Sequence, residues 1–112
     1  MKILITGSRK STDVSFIFEK LGLEVTQKDT IIHGGANGVD SIAEAWCKQT
    51  NTPSIIIRPI YPSQKVYYLH RNAEMIGMCD RVLAFPSEDS KGTYFTVKYA
   101  KKRGKEVKIF KL

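Results

Sequence analysis

The segment His33-Gly34-Gly35-Ala36-Asn37-Gly38-Val39-Asp40 places three glycines in five positions, between an apolar run and an amphipathic one. Glycine removes the Cβ atoms that would hold a ligand away from the backbone, and it turns the chain cheaply. The start of a helix adds unpaired amides and a positive dipole end. That combination suits a phosphate or a carboxylate held against the backbone. The turn differs from the G-x-G-x-x-G fingerprint, and no acid follows about twenty residues on to take a ribose in the NAD manner. A redox cofactor is therefore not expected, and neither is any other resident cofactor.

Three further groups offer the same chemistry. Gly7-Ser8-Arg9 follows an apolar run, and a guanidinium there matches the planar, two-pronged geometry of a phosphate or carboxylate. Arg71 and Asn72 follow Tyr67, Tyr68 and His70. Arg71 suits a phosphate contact or a surface ion pair, and the tyrosines suit base stacking or the core. Ser90-Lys91-Gly92-Thr93 opens a second helix N-terminus with a lysine, a glycine and hydroxyls. Asp40 has two open roles: capping the turn, or accepting a ribose hydroxyl and orienting the loop. His33, alone at a strand end, reads as a hydrogen-bonded structural group rather than a general base. No complete catalytic set emerges. Cys47 and Cys79 lie in helical patterns without ligand spacing, so buried thiols in a reducing cytosol are expected, with no metal site.

These residues need elements to position them. Ile3 to Thr6, Thr30 to His33, Ser54 to Ile57 and Arg81 to Phe85 are short apolar runs of the kind that form strands buried on both faces, and Glu106 to Phe110 alternates as an edge strand. Helical spacing covers Asp13 to Leu21 with Gly22 as its stop, Val39 to about Lys48 ended by Asn51 and Pro53, Tyr67 or Tyr68 to Met78, and Thr93 to Arg103. Ser11, Thr12 or Asp13 can cap the first helix. The stretch from Arg58 through Pro62 is irregular, as is Pro86 to Lys91. Strands alternating with helices require right-handed crossovers between parallel neighbours. The predicted fold is one Rossmann-like α/β domain over residues 1–112, a three-layer α/β/α arrangement with a five-stranded parallel sheet of order 3-2-1-4-5. Its ligands bind at the carboxyl ends of the strands, where the order reverses.

Composition narrows the function classes. The 112 residues suit one domain, and 42% apolar with 26% charged residues is ordinary for a folded chain. The net charge of +7 is concentrated: residues 101–112 carry six of the eighteen basic residues and one acid, Glu106. Solubilising lysines at a helix end and edge strand explain that excess more simply than a phosphate-backbone footprint. Met1 to Ile5 is too short for a signal peptide and no run reaches membrane-spanning length, so a soluble, cytoplasmic protein without membrane partners is expected.

The order and spacing of Gly7-Ser8-Arg9, the 33–40 turn, Arg71-Asn72 with Met75, Asp80 ahead of Val82 to Phe85, and Gly92-Thr93 resembles the SLOG superfamily over almost the whole chain. Within it the likeness is to small YspA-type, YpsA-related proteins, and more distantly to the Rossmann core of DprA and to LOG phosphoribohydrolases. The resemblance implies a pocket for a nucleotide or nucleotide-derived signal. Its ligand-binding residues would be Gly7, Ser8, Arg9, His33, Gly34, Gly35, Asn37, Gly38, Asp40, Arg71, Asn72, Lys91, Gly92 and Thr93. The LOG motif P-G-G-x-G-T-x-x-E ends on a catalytic glutamate, and Thr96 stands at that place here. A binding protein, sensing or sequestering its ligand, is the first expectation. A hydrolase of nucleoside monophosphates with Glu44, Asp40 or His33 as substitute is the second. The third is DprA-like binding of single-stranded DNA through Lys101, Lys102, Arg103 and Lys105. A homodimer is also expected.

Overall fold

The computed structural model describes residues 1–58 and 65–112, the side chains of residues 65–69 excepted. The irregular loop expected as far as Pro62, and the roles expected of Tyr67 and Tyr68, lie outside the described residues. Along the chain run β1 (Lys2–Gly7), α1 (Val14–Glu24), β2 (Thr30–His33), α2 (Val39–Thr50), β3 (Ser54–Ile56), α3 (Lys65–Met78), β4 (Arg81–Phe85), α4 (Lys91–Lys102) and β5 (Glu106–Ile109). The five strands form one sheet in the order β3-β2-β1-β4-β5, and every neighbouring pair is parallel. This is the expected Rossmann-like α/β arrangement.

Side-chain alternation along the strands builds the layers. Ile3 and Ile5 of β1 pack with Ile31, Leu83 and Phe85 against Ile17 and Leu21 of α1 and Ile42, Ala43 and Trp46 of α2. Leu4, between them, points the other way and joins Ile32 and Val82 against Met75 and Ile76 of α3 and Ala100 of α4. A period-two strand thus faces two different helix pairs, which is why its residues are apolar without interruption. The strand order reverses between β1 and β4, so their carboxyl ends open a crevice between the two crossovers.

Several ends differ from expectation. α1 runs through Gly22 to Glu24 and stops at Val25, whose backbone is extended. A stopping glycine needs positive φ, and the glycines with positive φ among the described residues are Gly35, Gly38 and Gly104. Burial of Leu21 and Val25 outweighs the roughly 1 kcal/mol that a glycine costs inside a helix. α3 begins at Lys65, two or three residues earlier than expected, and α4 at Lys91, two residues earlier. Asp13 is the cap of α1, accepting from the Phe16 N–H at 3.3 Å, and Asn51 ends α2 in the left-handed region. Cys47 and Cys79 are both buried, Cys47 on α2 and Cys79 one residue past α3. Burial pushes the Cys47 thiol up to about 11.

Glu24 fastens the end of α1 to the sheet: Arg81 Nη2 of β4 donates to Oε1 at 2.7 Å, and Lys108 Nζ of β5 donates to Oε2 at 2.6 Å. The bonds from Lys108 and Arg81 hold the Glu24 carboxyl below its ordinary value of 4.5. A depressed carboxylate contributes stability that is present above its unfolded pKa and is lost as pH falls through the folded one. Glu24→Gln is therefore expected to unfold at lower urea than the unaltered chain at neutral pH. That gap should close as the solution is acidified below about 4.5; a gap that persists in acid would show that the carboxylate is not what holds α1.

Candidate functional site

The crevice at the carboxyl edge is a cleft of about 330 Å³. Its floor is the end of β1, Ile5 to Gly7, with Met75 and Thr96 from the helices behind. One wall is the β1–α1 turn with Ser8, Arg9 and Lys10; another is Ala36 and Asp40; a third is Arg71 and Asn72 of α3; the last is Asp89 to Thr93, where α4 begins. Four cations, Arg9, Lys10, Arg71 and Lys91, face two acids, Asp40 and Asp89. Lys10 Nζ donates to Asp89 Oδ2 at 3.3 Å, so an exposed ion pair joins the two loops at the rim.

The 33–40 turn is held by its own side chains. Asp40 Oδ2 accepts from the N–H of Gly34 at 3.1 Å and of Ala36 at 3.2 Å, folding the loop back over the first turn of α2. Arg71 Nη1 donates to the Gly34 carbonyl at 2.9 Å, and its Nε donates to Asn72 Oδ1 at 3.0 Å. The Gly34 peptide is therefore gripped from both ends. Arg71 and Asp40 are each only 8% exposed. Burial pushes the Asp40 carboxyl above its usual range, while His33, the loop amides and Arg71 pull it back.

His33 is buried and bonded on both ring nitrogens. Its Nδ1 accepts from the Gly35 N–H at 3.0 Å, so in the neutral ring Nε2 carries the proton and donates to Glu44 Oε1 at 2.7 Å. This is the structural role expected of it, and the bond from His33 keeps the Glu44 carboxyl low. Neither residue lines the cleft.

The glycines of the turn make room for the chain itself. A Cβ on Gly34 would overlap Arg71 Nη1, and one on Gly38 would overlap the Ser8 carbonyl oxygen and lie 2.6 Å from the Arg9 carbonyl carbon. Gly38 has φ 75° and ψ −126°, a region open to glycine alone. This close approach lets the Val39 N–H donate to the Ser8 carbonyl at 3.0 Å, joining the first and second crossovers.

A family model described as the YspA, cpYpsA-related SLOG family matches residues 1–60. Gene 61 protein of Mycobacterium phage D29 is 32% identical over 114 residues, spanning 92% of this chain and 90% of that protein. The chain belongs to the YspA, cpYpsA-related SLOG family. Among solved structures, DNA processing protein A (DprA) from Streptococcus pneumoniae superposes with a TM-score of 0.82 at 21% identity over 96% of this chain. This SLOG chain spans about half of that one, 49%. DprA from Helicobacter pylori, a structure reported for its single-stranded DNA binding mode, superposes with a TM-score of 0.77 at 22% identity, over 97% of this chain and 64% of its own. At those identities the likeness is one of fold.

In this SLOG chain, Gly7, Ser8, Arg9, Asp40, Arg71, Asn72, Lys91, Gly92 and Thr93 come together on the cleft. His33, Gly34, Gly35, Asn37 and Gly38 do not line it. His33 and Gly34 are buried behind the wall, Asn37 is exposed, and Gly35 lies beneath Arg58, whose Nη1 donates to its carbonyl at 3.2 Å. A surface ion-pair role for Arg71 is overturned by its burial and its bond to Gly34. Lys10 and Asp89 escaped the sequence reading, although both stand in loops that the topology places on this edge. Thr96 lines the floor, and its hydroxyl donates to the Gly92 carbonyl at 3.0 Å. Ser90 is the N-cap of α4 without capping it by its side chain, and its hydroxyl accepts from the Ser87 N–H at 2.9 Å.

Asp40 allows a clean test of what holds the loop. Asp40→Ala strands two amides and is expected to cost about 2–6 kcal/mol in urea unfolding, at roughly 1–3 kcal/mol for each unsatisfied group. Asp40→Asn keeps an oxygen for both amides and removes a buried charge, so it should stay within about 1 kcal/mol of the unaltered chain. Equal losses in the two variants would mean that the charge, not the bonding, sets the loop.

Proposed function

We propose that the cleft binds a nucleotide or nucleotide-derived small molecule and holds it intact, as a sensor or sequestering site. The observation that carries this reading is that Arg71 and Asp40, each 8% exposed, stand in the wall of an open cleft rather than in a closed core. Burying charges costs several kcal/mol, and sites that bear this cost are usually ones where a ligand uses it. Arg71, Arg9 and Lys91, beside the first turn of α4, offer a phosphate a positively charged surround. Asp40, Ser8 and Thr93 offer hydroxyl-matching partners, and Ile5 and Met75 an apolar floor. A cleft of about 330 Å³ is at the small end of ligand sites, which favours one nucleotide over a dinucleotide.

The intact ligand follows from Thr96. Its hydroxyl is bonded to Gly92, and a neutral hydroxyl there supplies neither a proton acceptor nor a stabiliser for a sugar cation. Titration calorimetry against nucleoside monophosphates, nucleoside diphosphates and ADP-ribose is expected to find a ligand in the micromolar range; silence across the panel would reject the reading. The competing hydrolase would reveal itself as free base released from AMP, with the release abolished in Asp40→Asn.

A further inference from the structure

Four cations and two acids line the cleft, a net charge of +2 with all six ionised. Their placement is uneven. Asp40 and Arg71 are bonded within the wall, to the loop amides and to the Gly34 carbonyl. Asp89 and Lys10 stand at the mouth, their side chains 66% and 84% exposed. An exposed ion pair contributes little to folding, so stability gives no strong reason for a carboxylate at this place. The carboxylate is nonetheless fixed. Ser87 Oγ donates to Asp89 Oδ1 at 3.0 Å, and the Lys91 N–H donates to the Asp89 carbonyl at 3.0 Å. The Ser90 N–H donates to the Ser87 carbonyl at 3.2 Å, which closes the turn around Asp89. Bonds from Ser87 and Lys10 hold the Asp89 carboxyl below its ordinary value of 3.8, so it is charged at neutral pH. Lys10 reaches it on a flexible four-carbon stem. A ligand phosphate can therefore draw the ammonium aside while the carboxylate stays.

We propose that Asp89 determines specificity by charge: the cleft holds a nucleotide with up to two negative charges, and Asp89 turns away one with three or four. This rests on the nucleotide reading of the cleft and adds the residue that selects among nucleotides. A phosphate monoester carries about −1.5 to −2 at neutral pH, which matches the net charge of the lining. Each phosphate added in a chain brings about one negative charge more. A phosphate held by Lys91 already lies two residues from Asp89, so an added one extends toward a carboxylate that cannot withdraw. Like charges repel strongly where the walls exclude part of the water, and a fixed repulsive group is a common source of selectivity. Without Asp89 the lining would be four cations against one acid, a surround suited to a polyphosphate. The carboxylate, rather than a shortage of cations, sets the limit.

The test is titration calorimetry of the whole chain with AMP, ADP, ATP, their guanosine counterparts and ADP-ribose, in EDTA so that no divalent ion masks the phosphates. In the unaltered chain affinity is expected to fall by roughly 5-fold or more from mono- to diphosphate, and again to triphosphate. Asp89→Asn should recover most of that loss for the di- and triphosphates and change the monophosphates less, with the melting temperature unchanged. Asp89→Glu, which keeps the charge, should keep the order. ADP and ADP-ribose share a diphosphate, but the second ribose removes one charge, so Asp89→Asn should favour ADP over ADP-ribose. Equal gains for those two would mean that Asp89 crowds a second phosphate rather than repelling a charge, and would overturn the proposal. So would triphosphates that bind the unaltered chain as tightly as monophosphates. Binding whose order Asp89→Asn leaves unmoved rejects the charge limit alone, whereas silence from every ligand in both chains rejects the nucleotide reading with it.

Discussion

Gly38→Ala should destabilise the fold by roughly 3 kcal/mol or more, lowering the melting temperature by more than about 10 °C. Two costs combine there. At φ 75° and ψ −126° a Cβ is strained whatever surrounds it, which alone costs about 1–3 kcal/mol. The new methyl also meets backbone: the Ser8 carbonyl oxygen, and the Arg9 Cα at 2.8 Å. Backbone cannot swing aside as a side chain can, so the two crossovers must part, and the Val39-to-Ser8 bond lengthens or breaks. Gly104 is the internal comparison. It has a similar φ of 77°, but nothing lies within 4 Å of its Cβ position, so Gly104→Ala should lose only the conformational part, about 1 kcal/mol. Equal losses at the two positions, measured by urea unfolding, would mean that contact with the β1–α1 turn contributes nothing.

This contrast shows what the sequence could and could not reveal. The strands were legible because a parallel strand covered on both faces must be apolar throughout, and Ile3-Leu4-Ile5 and Val82-Leu83-Ala84-Phe85 are. Strand order followed from crossover handedness, and the edge that bears the cleft followed from strand order. The turn at 33–40 was visible as glycine-rich, but what its glycines approach was not. Arg71 is 37 residues from Gly34, and Ser8 is 30 from Gly38, so no local pattern records either contact. The same distance in sequence hid the Lys10–Asp89 pair, 79 residues apart. Gly22 misled for the opposite reason. It carries the local signature of a helix stop, and burial of Leu21 and Val25 overrides that signature.

Arg71→Met should have the largest effect on the cleft itself, and its dependence on pH separates its two roles. The thioether fills much of the same space but donates nothing, so the Gly34 carbonyl loses its partner and Asp40 loses its nearby cation. Breaking up a buried charge arrangement costs about 3–5 kcal/mol, and the two amides that Asp40 retains place the expectation at the low end. Arg71 is among the groups that pull the Asp40 carboxyl down against burial, so without it that carboxyl rises further. A carboxyl raised in the folded state weakens the fold while it is charged, and the penalty is relieved as pH falls through its folded pKa. The deficit of Arg71→Met should thus be greatest at neutral pH and smaller in mild acid, tracked as unfolding midpoints against the unaltered chain at each pH. Adding Asp40→Asn removes the stranded charge, so the double variant should be more stable than the two single losses sum to. Binding should respond differently, falling about 10- to 100-fold in Arg71→Met through the loss of a charge-assisted bond to the ligand. Asp40→Asn should not restore it, because it repairs the fold without returning a cation to the cleft. Strict additivity in stability would remove the electrostatic link between Arg71 and Asp40, and full ligand affinity in Arg71→Met would remove Arg71 from the site.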